Sequence, residues 1–184
     1  MIADNNEAFE DDFVLRDSID IARTVLGKFM NLIIFKAVEK LEDKAFIQTI
    51  KQLYIKAIDV MEELLSLNSD FSLYDTLKYL ETVAPTNPDF EITLKRNIYN
   101  YYCCQPAYEL VAYIFKDECD VAFDWLMTTD GKNVPDFSEA MNVINKRFMD
   151  TPLKEMQPAK KVNPKEVFMN VASVVGEMAN ICEN

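Results

Sequence analysis

The chain has 184 residues, with 31 acids against 19 bases and no histidine. A formal charge of −12 argues against nucleic acid as a partner, because phosphate binding needs a cationic surface; it fits a basic protein partner or simple solubility. Without histidine the usual zinc ligand, the usual general base and any Ser–His or Cys–His nucleophile are missing, so no cofactor and no catalytic activity of the chain on its own are expected.

At 49% hydrophobic and 27% charged residues, the composition is that of a folded domain. No apolar run approaches the roughly 20 residues of a membrane span. The start is acidic rather than basic-then-apolar, so no signal peptide is read in the chain; a soluble protein is expected, with its compartment unassigned. The four cysteines, Cys103, Cys104, Cys119 and Cys182, form no Cys-x-x-Cys pair and read as buried free thiols.

Residues 1–15 read as an acidic N-terminal arm, with Asp4, Glu7, Glu10, Asp11 and Asp12, and 16–184 as one helical domain. Ser18–Leu41 carries Ile19, Ala22, Leu26, Phe29, Ile33, Ala37 and Leu41 at three- and four-residue steps. A second apolar set, Ile21, Val25, Leu32, Phe35 and Val38, leaves only the narrow polar stripe of Asp20, Thr24, Lys28, Asn31 and Glu39. A helix apolar around most of its circumference predicts a central position, covered on several sides.

Lys44–Leu67 is the second helix, antiparallel to the first across a short junction. Ser72–Ala84 is the third, ended by Pro85. Asn87 as cap and Pro88 as first position open a fourth, running toward Cys104. Gln105–Pro106 predicts a break, Pro106–Thr128 a fifth helix and Asp130–Gly131 a turn. Ser138–Met149 is the sixth. Residues 151–163, with Pro152, Pro158, Lys154, Lys160 and Lys161, predict an exposed, flexible connection. Asn163, Pro164 and Glu166 open the last helix, with Val167, Val171, Val174 and Met178 on one stripe. No strand alternation persists. The fold class is all-α: a single-domain antiparallel helical bundle of about six to seven helices.

The candidate partner- or ligand-binding residues are Asp20, Arg23, Asn97, Tyr99, Tyr102, Gln105 and Tyr108. Asp20 and Arg23 stand three apart near a helix start, either as a surface pair of about 0.2–0.5 kcal/mol or as a positioned pair. The others belong to a cluster of tyrosines and amides around Pro106, with Tyr101, Tyr113, Asn100 and Glu109. Such a cluster lines a sugar or peptide cleft, or simply packs. Asp117, Asp120 and Asp124 share a face of the fifth helix beside Glu118 and read as solvated. No catalytic or metal-binding residue is assigned.

Asp20–Ile21–Ala22–Arg23 followed by Val25–Leu26, Leu64–Leu65, Phe71–Ser72–Leu73–Tyr74–Asp75–Thr76–Leu77, Asn97–Ile98–Tyr99 and the Gln105–Leu110 step occur in an order that resembles the C-terminal helical domain of α-N-acetylglucosaminidases, over roughly residues 16–126. Thr76 stands where that family has tryptophan. The resemblance implies a non-catalytic accessory domain that packs on a catalytic barrel. The alternative is a stand-alone acidic adaptor, inhibitor or immunity-type protein for a basic partner. A barrel-docking face requires an exposed apolar patch of at least a few hundred Å².

Overall fold

The computed structural model describes residues 9–85, 87–99, 106–133, 135–158 and 162–183. These residues are helical and form no strands: α1 Asp12–Glu39, α2 Lys44–Leu65, α3 Leu73–Val83, α4 Phe90–Tyr99, α5 Tyr108–Leu110, α6 Lys116–Thr128, α7 Ser138–Asp150 and α8 Pro164–Glu183. α5 and α6 are joined by a π turn, Val111–Phe115, so the three pieces run on as one helix. The bundle is all-α, and no helix among the described residues is long and apolar enough to cross a membrane.

Local chemistry places most helix starts. Asp11 accepts from the Phe13 and Val14 amides at 2.9 and 3.2 Å, so α1 begins at Asp12 and takes in the end of the stretch expected to be an arm. Asp43 accepts from the Phe46 amide at 2.9 Å and starts α2. Asn87 accepts from the Asp89 amide, but Pro88 and Asp89 form a turn and α4 begins two residues later than the cap-and-proline pattern predicts. Gly131, at φ 79°, supplies the left-handed residue of the expected Asp130–Gly131 turn.

Two apolar clusters make the core. The first joins Ile19, Leu26, Met30 and Ile33 of α1 to α2, to Phe123 and Leu126 of α6, and to Val167, Val171, Val174 and Met178 of α8. The second joins Leu73 and Leu77 of α3 to Leu110 and Ile114, to Ile144 and Phe148 of α7, and to Leu153 and Met156. Leu153 and Met156 are fully buried, and Leu153 N–H donates to Glu91. The first half of the expected flexible connection is therefore pinned into the core; 159–161 lie outside the described residues.

α1 is not the sheathed central helix. Its first apolar set faces the core, but Ile21, Leu32 and Phe35 are 64%, 47% and 65% exposed, and Val25 and Val38 are exposed beside them. Periodicity shows two apolar stripes, yet only α2 and α8 pack closely along α1, so one stripe is left in water. The covered helix is α2, which contacts α1, α6 and α8 and buries Ile47, Ile50, Leu53, Ala57, Ile58, Met61, Leu64 and Leu65.

Charged side chains close helix ends. Glu109 is fully buried; its carboxylate accepts from Ser72 Oγ and from the Leu73 and Tyr74 amides at 2.8–2.9 Å, capping α3 from another segment. Lys95, 1% exposed, donates from Nζ to the Met149 and Thr151 carbonyls at the end of α7 and pairs with Glu91 at 2.9 Å. Lys44 donates to the Leu126 and Thr129 carbonyls at the end of α6. Each charge has the sign its helix end favours.

Candidate functional site

α1 and α6 both lean on α2 and stand apart from each other. The gap is a groove of about 820 Å³. Thr24, Lys28 and Asn31, the polar stripe of α1, line one wall; Phe115, Glu118 and Ala122 line the other; Tyr54 and Met61 of α2 form the floor, with Met30, Ile34 and Phe123. Arg23, Pro106 and Met141 lie around its margin. At Gly27 an added Cβ would meet nothing within 4 Å, so the α1 wall is open there.

Arg23 is almost completely buried. Its Nε donates to Asp20 Oδ1 at 2.7 Å, Nη2 donates to the same oxygen, Nη1 donates to the Pro106 carbonyl at 3.3 Å, and the guanidinium sits 4.9 Å from the Phe71 ring centroid. The i,i+3 pair is thus the positioned one: it ties α1 to the start of the α5 segment.

The acidic face of α6 is not merely solvated. Asp117 pairs with Arg147 of α7, and Asp120 and Asp124 with Lys51 of α2 at 2.8 and 3.3 Å. The bond to Asp120 raises the Lys51 ammonium pKa against the opposing effect of burial. Arg147 also donates to the Tyr113 carbonyl in the π turn at 2.6 Å. Glu118 lies about a hundred degrees around the helix from this face and looks into the groove. Among the described residues it forms no hydrogen bond or ion pair, and burial raises its carboxyl above the ordinary 4.5. Cys119 beside it is a free buried thiol, pushed up to about 12 chiefly by burial.

The sequence-derived candidates divide. Asp20 and Arg23 meet, and Arg23 reaches the groove. Tyr99 is half-buried near Glu118, its phenol raised first by burial and then by that carboxylate. Tyr108 is buried in the first core cluster and does not line the groove; burial and Glu62 raise its phenol, which sits 3.5 Å from Glu62 Oε1, a long contact. Glu62 and Asp59 hold Lys116 at 3.1 and 2.8 Å. Asn97 is exposed on α4 and does not line the groove. Tyr102 and Gln105 lie outside the described residues, as do Cys103 and Cys104. Cys182 is half-buried and free. Sequence reasoning passed over Glu118 and Lys28 as lining residues. The available signal was a polar stripe on an otherwise apolar helix, and one acid out of phase with three others. Among the described residues no group of three or more cysteine, aspartate or glutamate side chains is placed to hold a metal ion.

Compared with protein-family models, with characterised proteins and with solved structures, the chain matches none.

Proposed function

We propose that this chain is a non-catalytic docking domain that engages another protein through the outer face of α1. The observation that carries this reading is the exposed line of Ile21, Val25, Leu32 and Phe35, spaced by four, seven and three residues along a helix whose opposite face is in the core. An apolar helix face of this length in water is characteristic of protein interaction surfaces. The want of histidine, and acids and lysines engaged in ion pairs between helices, support a binding role over a reaction.

Two partners fit. The family resemblance favours a catalytic barrel, with α1 as the flank that lies against it, and the apolar face supports that form. The charge of −12 favours a free basic protein, steered by the acidic surface and seated on the same stripe. Retention of partners on the immobilised chain separates them. A basic partner is released as salt rises to about 0.5 M, where exposed charges are screened, and a barrel held by apolar contact stays. A variant carrying Ile21→Glu, Leu32→Glu and Phe35→Glu loses either one. Retention of the same proteins by this variant overturns the proposal.

A further inference from the structure

The groove between α1 and α6 is a different surface from the outer face of α1, and its chemistry selects a different ligand. Its volume of about 820 Å³ lies within the range of small-molecule sites, roughly 300–1,000 Å³. Met30, Met61 and Met141 line it beside Tyr54, Phe115 and Phe123, and flexible thioethers adapt to irregular apolar shapes. Three charged side chains reach it: Arg23, Lys28 and Glu118. The Arg23 guanidinium is already engaged by Asp20, the Pro106 carbonyl and the Phe71 ring. Lys28 is exposed at the lip, where water solvates its ammonium. Glu118 is half-buried and lacks a counter-ion among the described residues, while Asp117, Asp120 and Asp124 of the same helix each have one.

We propose that this groove binds a small amphipathic amine, its apolar body on the methionine-lined floor and its ammonium paired with Glu118. A carboxylate partly stripped of water gains most from a cation that brings its own hydrogen-bond donors. An uncharged ligand leaves Glu118 uncompensated, and an anionic ligand adds repulsion.

The test uses 4-phenylbutylamine, 4-phenylbutanol and 4-phenylbutyrate as probes of one apolar body with three head groups. The readout is nuclear magnetic resonance of the protein labelled at its methionine methyls, of which there are nine. The amine shifts the Met30, Met61 and Met141 signals saturably, with an affinity at least about tenfold above that of the alcohol, and the carboxylate binds weakest. Glu118→Gln brings the amine down to the level of the alcohol while the methionines outside the groove keep their positions. Equal binding of amine and alcohol, tighter binding of the carboxylate, or absence of saturable shifts at those three methyls overturns the proposal. The three-probe comparison on the unaltered chain stands whether or not the variant folds.

Discussion

Around α2 the core is built mainly from apolar side chains on helices of 28, 22 and 20 residues with the 13-residue α6 laid against them, and its buried charge, Arg23, sits where α1 meets the α5 segment; around α3, α4 and α7 the helices have 11, 10 and 13 residues and the buried set includes Glu109 and Lys95. The difference follows from helix ends. Every helix leaves four amides and four carbonyls without partners, whatever its length. A long helix has many buried turns between two ends that reach water. A short one packed into a core brings its ends with it, and they need acceptors and donors from elsewhere. Glu109 supplies three acceptor contacts at the start of α3, and Lys95 two donor contacts at the end of α7. The first region is held mainly by area, with Arg23 and Lys44 at its margins; the second depends more heavily on a few polar contacts inside it.

The largest expected effect breaks the first region. Phe123→Ala removes a fully buried ring and costs about 4 kcal/mol in urea unfolding, with little local relief, because α2 packs on that side. In the second region Glu109→Ala leaves two amides and a hydroxyl buried without an acceptor and costs about 3 kcal/mol, out of proportion to the apolar area lost. Lys95→Met keeps the volume but strands the Met149 and Thr151 carbonyls and takes the counter-ion from Glu91, which keeps the Leu153 amide, for about 2 kcal/mol. If Glu109→Ala costs no more than an exposed substitution, the contrast between the regions is lost.

Smaller effects sharpen it. In the native chain at pH 8 a thiol reagent modifies Cys182 and leaves Cys119 intact, since burial holds that thiol up at about 12. Equal labelling rates would mean that the first region opens easily. Burial raises Glu118, so the folded chain keeps its proton to a higher pH than the unfolded chain does. Stability therefore declines as pH rises from about 4.5 through the folded value, and Glu118→Gln flattens that part of the profile. An unchanged profile in the variant would remove Glu118 from the account.

The helical class and most of the segments were legible because three- and four-residue apolar spacing reports one local property, the helix face. α2 and α8 display it along their buried faces. The same spacing misleads at α1: Ile21, Val25, Leu32 and Phe35 repeat as regularly as Ile19, Leu26 and Ile33, and nothing in the repeat says how many neighbours a helix has. Glu109 read as one polar residue in a tyrosine cluster, because the helix it caps begins 36 residues earlier. Leu153 and Met156 were hidden by the prolines and lysines around them. Glu118 was visibly out of phase with its acidic neighbours, but the groove exists only because α1 and α6 share α2 without closing on each other.

α1 carries two apolar faces, and only the inner one packs in the chain's own core. Urea unfolding of the chain with Ile21→Glu, Leu32→Glu and Phe35→Glu decides whether the outer face is free of the fold. The expected result is a native circular dichroism spectrum and a stability within about 1 kcal/mol of the unaltered chain, the scale of exposed substitutions. A loss of several kcal/mol would place those three side chains in a core, and α1 would then have no free apolar face.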